Sequence, residues 1–154
     1  MKTDEIVIHP IGVIHSPYKK REDIPCQGYK YKTEGTVELF PDYLQGLKDV
    51  DGFSHLILVY YFHEAKQAKL IAKPFLDDQP KGIFAIRGPS RPNHIGITVV
   101  KLLNIEGNHL HVANIDCLDG TPLLDIKPYV PQFDHKEGAA IGWLEGKVKS
   151  YQTE

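Results

Sequence analysis

Cysteine, methionine and tryptophan are scarce in this chain of 154 residues, with two, one and one copies. Cys26 and Cys117 show no CxxC spacing. The reading is therefore free thiols in a cytoplasmic protein, with a Cys26–Cys117 bridge as the less favoured alternative. Long apolar runs are also missing. The longest, Leu56 to Phe62, is interrupted by Tyr60 and Tyr61, far short of the roughly 18 residues that a membrane helix needs. Met1 to Glu5 carries both signs of charge and no apolar core, so no secretory signal is expected. Neither sign of charge dominates: 18 Lys and Arg stand against 20 Asp and Glu, for a net charge of −2. That argues against a general nucleic-acid coat but leaves room for an enzyme with a local basic patch. Lys19, Lys20 and Arg21 form such a run, followed by Lys30 and Lys32. Taken alone, they read better as a solvated surface.

Several chemical motifs are absent too. No GxGxxG follows a strand, so the Rossmann route to a nucleotide is closed. No Gly-x-Ser-x-Gly elbow and no phosphate-binding GxxxxGK[ST] loop is present. His63-Glu64 begins like a zinc protease motif, but Gln67 occupies the place of the second histidine. His109 and His111 share one face of a strand without a third ligand nearby, so no metal site is expected.

What is present is a series of short apolar strands. Hydrophobic residues make up 42% of the chain and charged residues 25%, a globular mixture that reads as one domain over residues 1–154. Gly12 to Ser16, Thr36 to Phe40, His55 to Phe62, Ile83 to Ile86, Ile97 to Ile105, Leu110 to Ile115 and Trp143 to Lys149 all carry strand patterns. In Thr36 to Phe40, Val37 and Leu39 share a face and Glu38 takes the other. Gly107-Asn108 turns one strand into the next as a hairpin. Helix signals are few: a short pattern begins at Asp42, and Glu64 to Ala72 forms a second candidate that Pro74 would end. Eleven prolines and thirteen glycines punctuate these strands. The expected fold is all-β, a small single-sheet β-barrel with one or two short helices.

Four segments stand out. They are Pro10 to Tyr18, Arg87 to Gly96, Asp116 to Pro122 and Asp125 to Tyr129. Each is explained singly by turn chemistry. Together they place arginines, carboxylates and prolines in stiff loops beside apolar strands, as ligand sites do. Ile11–Tyr18, Phe53–Leu56, Arg87 with Arg91–Gly96, and Asp119–Tyr129 resemble, in order, the signatures of the TrmO/TsaA family. The run Asp-Gly-Thr-Pro-Leu-Leu-Asp-Ile-Lys-Pro-Tyr is the most specific. The family's Arg-Pro-Asn-Pro-Ile-Gly reads here with His94 in place of its second proline. Many similar bacterial members carry a further C-terminal region where this chain stops, so any grip on tRNA from that region must come from elsewhere.

The resemblance implies a non-Rossmann barrel that works as a homodimer. It also implies methylation, from S-adenosylmethionine, of N6 of a threonylcarbamoyl-modified adenosine next to the anticodon of tRNA. Carried over by position, cofactor contacts fall at Cys26, Gln27, Gly28, His63, Glu64, Arg87, Ile97, Leu118, Asp119, Gly120 and Thr121. Arg87 suits a carboxylate through paired hydrogen bonds. The accepting nitrogen is a poor nucleophile, so a group that takes its proton is expected, with Asp119, Asp125 and His94 as candidates. Tyr18, Lys19, Lys20, Arg21, Arg91, Asn93, Lys127 and Tyr129 are the candidate contacts to the anticodon arm, as phosphate partners or stacking surfaces. The alternative is a non-enzymatic module that senses S-adenosylmethionine or another nucleotide.

Overall fold

A computed structural model describes residues 4–24 and 32–148. Six strands close into one antiparallel barrel. They are β1 (Gly12–His15), β2 (Glu34–Leu39), β3 (His55–Tyr61), β6 (Ile95–Glu106), β7 (His109–Ala113) and β8 (Thr121–Pro128), in the order β1-β2-β7-β6-β3-β8. A separate two-stranded ribbon, β4 (Ile71–Ala72) with β5 (Lys81–Gly82), lies in the long excursion between β3 and β6. Among the described residues, helix is limited to 3₁₀ turns and one four-residue turn, α1 (Pro131–Asp134). No helix among the described residues is long and apolar enough to cross a membrane.

The barrel follows from period-two patterning. Strand side chains alternate between faces, and the inward positions of the core strands are apolar apart from the buried Thr98 and Thr121. Ile14, Val37, Leu58, Val100, Leu110, Val112 and Leu123 are fully buried. Ile115 and Cys117 join this cluster from the segment after β7. Closure requires the strands to bend, and two register shifts supply the bend, at Val59/Tyr60 between β3 and β8 and at Leu102/Asn104 between β6 and β7. The expected hairpin is present: Gly107 takes φ +61° between β6 and β7. Asn108 then ties the hairpin to the end of β2, its side-chain amide donating to the Leu39 carbonyl at 2.8 Å.

Several expectations about elements need correction. The candidate helix at 64–72 is not formed. Its backbone is engaged elsewhere: Lys69 N–H donates to the Ser90 carbonyl, and the Leu70 carbonyl accepts from Ile83 N–H. Leu70 and Ile71 remain exposed, so a helix of nine residues would have no face to bury and too little length to stand alone. The turn at 41–47 is 3₁₀, starting with Pro41 at its first position rather than capped by Asp42. Ile83–Ala85 and Gly142–Leu144 are 3₁₀ turns where strands were expected. Gly142 and Gly146, both at positive φ, break the alternation of the latter, and Lys149 lies outside the described residues. The turn is instead docked on the excursion, with the Trp143 indole donating to the Ala85 carbonyl at 2.7 Å.

Candidate functional site

One end of the barrel gathers the polar loops. The chain leaves β1 through Ser16, whose hydroxyl donates to the Cys117 carbonyl at 2.6 Å. The Asp119 carboxylate accepts from Ser16 N–H at 2.9 Å and from the Lys19 ammonium at 2.6 Å. These contacts latch the 16–19 turn onto the 117–121 turn. They also hold the Asp119 carboxyl below its ordinary range, chiefly through Lys19. The 117–121 turn is stiff from within. The N–H groups of Asp119, Gly120 and Thr121 donate to the carbonyls of Tyr18, Ile14 and Leu118. The amides of residues 119–121 are thus engaged, and so are the carbonyls of Cys117 and Leu118.

Beside this turn a cavity of about 130 Å³ is lined by Tyr60, Phe62, Arg87, Arg91, Ile95, Gly96 and Ile97. Gly96 makes its back wall possible. It pairs with Tyr60 across β3 and β6, and a Cβ there would lie 2.6 Å from the Tyr60 ring and 2.7 Å from Phe62. The absent side chain is what lets the two rings pack edge to face, 5.2 Å apart.

The two arginines differ in kind. Arg91 points inward on its own loop, its Nη1 donating to the carbonyls of Ile86 (2.9 Å), Gly88 (3.2 Å) and Ile83 (3.4 Å). It braces the 83–91 loop as well as lining the cavity. Arg87 is exposed and makes no hydrogen bond or ion pair with any described residue. Its charge reaches Tyr60 and Asp116. An unengaged guanidinium over an aromatic-walled cavity suits a carboxylate.

Asp116 was not among the candidates read from the sequence. It is half-buried, bonded to the Thr98 hydroxyl and approached by the Cys117 thiol at 3.8 Å. Burial pushes its carboxyl above the ordinary range, against the pull of Thr98, Cys117 and Arg87. Burial also pushes the Tyr60 phenol and the Cys117 thiol, which bond each other, well up. The sequence signal for Asp116 was the pattern break: a carboxylate between Ile115 and Cys117, both buried at the barrel end.

The remaining candidates fall into groups. Leu118, Asp119, Gly120, Thr121, Arg87 and Ile97 come together at this mouth. Asn93 and His94 lie in the loop that enters β6, where the His94 carbonyl accepts from Phe62 N–H and its ring tilts against Tyr61 at 6.0 Å. His63 and Glu64 are exposed in the turn after β3. The Tyr18 hydroxyl bonds Thr33 at 2.5 Å. Lys20 and Arg21 are exposed, with no ion pair to a described residue. Cys26, Gln27 and Gly28, and with them the Cys26–Cys117 alternative, lie outside the described residues. Asp125 and Lys127 pair with each other at 2.8 Å on β8. Tyr129 packs against His55 at the start of β3, about 20 Å along that strand from Tyr61. His109 and His111 face Glu38 and Glu106 on the outer wall. No three metal-ligating side chains converge among the described residues.

A wider groove of about 680 Å³ opens at the opposite end, between the 41–53 turns and β8, floored by Ile11, Leu39, Leu56 and Ile126. Volume favours the groove, but the unengaged cation and the half-buried carboxylate are both at the mouth. We place the site by its chemistry rather than by volume.

A closed antiparallel barrel with its polar loops gathered at one mouth sets this chain among barrel proteins that bind ligands without a nucleotide-binding α/β sheet. Within them, it belongs to the family of the tRNA-methyltransferase O N-terminal domain, whose model matches residues 13–135. A probable S-adenosyl-L-methionine-binding protein of Pyrococcus abyssi is 54% identical over 144 residues, covering 93% of this chain and 78% of that protein. A mouse tRNA (adenine(37)-N6)-methyltransferase is 29% identical over 92% of this chain, which spans 35% of the mouse protein. The fold matches crystallised TrmO from Pseudomonas aeruginosa with a TM-score of 0.78 at 36% identity, covering 91% of this chain and 63% of that one.

Proposed function

We propose that this protein transfers a methyl group from S-adenosylmethionine to N6 of a threonylcarbamoyl-modified adenosine beside the anticodon of tRNA, and that it does so as a homodimer. The family and the names of its relatives support the cofactor and the reaction. The observation that carries the reading is Arg87, an exposed guanidinium with no ion pair to a described residue, lining a cavity walled by Tyr60, Phe62, Ile95 and Ile97. S-adenosylmethionine, when bound, supplies an electrophilic methyl on a sulfonium. Arg87 would hold its carboxylate by paired hydrogen bonds. The aromatic and aliphatic walls would exclude water. Lys20 and Arg21, exposed beyond the Tyr18 turn, suit phosphates of the anticodon arm.

The cavity of about 130 Å³ is smaller than the roughly 300–1,000 Å³ of small-molecule sites. One wall continues outward as an apolar stripe on the outer face of β6 and β3. Ile95, Ile97, Val99 and Leu103 are each more than 40% exposed, beside Tyr61 at 40%. Lys101 interrupts the row between Val99 and Leu103, and exposed apolar surface of this kind marks an interface. Ile95 and Ile97 belong to both cavity and stripe, so a second copy seated on the stripe would roof the cavity.

The deciding experiment incubates the protein with labelled S-adenosylmethionine and tRNA carrying or lacking the threonylcarbamoyl group. Label at N6 of the modified base, dependent on that group, is expected. Tight cofactor binding with no transfer to either tRNA would identify a sensor instead.

A further inference from the structure

Two carboxylates, Asp116 and Asp119, stand at the mouth and a third, Asp125, lies on β8 beside the groove at the other end; their surroundings differ. Asp119 is bound to Lys19 and to a backbone amide, which lowers its affinity for a proton. Asp125 is paired with Lys127 on the outer wall, where its neighbour across β8 and β3 is Val59. Asp116 meets only neutral donors, the Thr98 hydroxyl and the Cys117 thiol, and no cation of the described residues stands within 4.0 Å of it. It is not itself part of the cavity lining, but Tyr60 and Arg87, which are, interact with it electrostatically.

We infer that Asp116 is the proton acceptor of the reaction, the group that receives the N6 proton as the methyl is transferred. This rests on the methyltransferase reading above. In the step, the N6 lone pair forms the new N–CH₃ bond and the sulfonium S–CH₃ bond breaks, its electrons returning to sulfur. The N6–H proton passes to the Asp116 carboxylate, which releases it to solvent afterwards. The nitrogen is amide-like, so its proton must leave as the bond forms.

The groups facing Asp116 leave it as the titrating member. Tyr60 from β3 and Cys117 from its own segment are kept protonated by burial. Arg87 from the 83–91 loop stays charged. Thr98 from β6 donates without titrating. A carboxylate whose burial favours the protonated form is a stronger base than one in a salt bridge. Thr98, then Cys117 and least Arg87, pull against that burial and favour the ionised form.

The test uses full-length protein with Asp116→Asn and Thr98→Val. Asp116→Asn should lower the single-turnover rate by roughly 10²–10⁴-fold, the usual contribution of a general base. It should leave S-adenosylhomocysteine affinity unchanged and should not lower the melting temperature. Carbon NMR of the Asp116 carboxyl in unliganded protein should show titration above the ordinary carboxylate range. Thr98→Val removes a bond to the ionised form, and should raise both that titration and the acid limb of the rate profile together. Modified tRNA left unlabelled by the wild-type protein overturns the methyltransferase reading and this inference with it. Wild-type transfer with an unimpaired Asp116→Asn overturns the inference alone. So does a folded Asp116→Asn that loses S-adenosylhomocysteine in proportion to rate, since Asp116 would then be a cofactor anchor. If Asp116→Asn fails to fold, the decision falls to Thr98→Val: an acid limb unmoved while the NMR titration shifts overturns the assignment.

Discussion

Gly96 is the residue on which the site's wall depends most directly. Adding one methyl there meets the rings of Tyr60 and Phe62 inside contact distance. Tyr60 cannot swing aside, because it is buried and its hydroxyl is bonded to Cys117. Gly96→Ala is expected to cost about 1–3 kcal/mol, as overpacking does, seen as a lower urea midpoint at unchanged slope. A midpoint equal to wild type would mean that the rings have room the geometry does not show. The arginines make the complementary case. Arg87→Ala should weaken S-adenosylmethionine binding by roughly 1.5–3 kcal/mol, the worth of a charged hydrogen bond, with no change in melting temperature. Arg91→Ala should lower the melting temperature as well, since three carbonyls lose their donor. Calorimetric titration beside thermal melts separates the two, and equal profiles would refute the distinction. In sequence these arginines stand four apart in one proline-rich loop and cannot be told apart. Which is brace and which is anchor depends on the path of the 83–91 backbone, and no local pattern encodes that path.

At the scale of elements, the strands that bury one face were legible. β2, β3, β6 and β7 were read within a few residues because apolar and polar positions alternate along them, or because both faces are apolar, as in β3. β8 was read as a pair of turns. Pro122 and Pro128 stand within it, and proline argues against a paired strand. Pro122 is tolerated where β8 meets the short β1, opposite Val13. The apolar outer face of β6 was equally visible in the sequence, but only the barrel shows that it points away from the core. Val99 lies in the middle of that face, opposite Ile57 and 41% exposed. Val99→Glu should leave the barrel's unfolding free energy within about 0.5 kcal/mol of wild type, the usual limit for a surface change. It should convert a dimer into a species of 17.4 kDa by light scattering. A variant that stays dimeric places the interface on another face. A wild type that is itself monomeric at working concentration removes the roofed-cavity reading.

For the whole molecule, acid is the informative variable, because the carboxylates pull in opposite directions. Asp119 and Asp77 sit below their ordinary range, Asp119 mainly through Lys19 and Asp77 mainly through the Gln79 amide and then Lys81. A lowered carboxylate adds stability above the unfolded value, and that stability is lost as pH falls through the folded value. Asp116 is raised by burial. Its contribution is complete below the unfolded value and lost as pH rises through the folded one. Acidification from about pH 7 should therefore first relieve Asp116 slightly, then destabilise the protein steeply below about pH 4 as Asp119 and Asp77 gain protons. Asp119→Asn isolates one of these contributions. At neutral pH it breaks the latch between the 16–19 and 117–121 turns, for a loss of about 1 kcal/mol at this partly exposed position. At low pH the wild-type carboxyl is itself neutral and no longer attracts Lys19, so the two proteins should converge. Urea midpoints of both proteins across the acid range measure the gap. A gap that persists undiminished after the carboxyl is protonated would show that Asp119 acts by shape rather than charge, and the latch between the two turns at the barrel mouth would not be electrostatic.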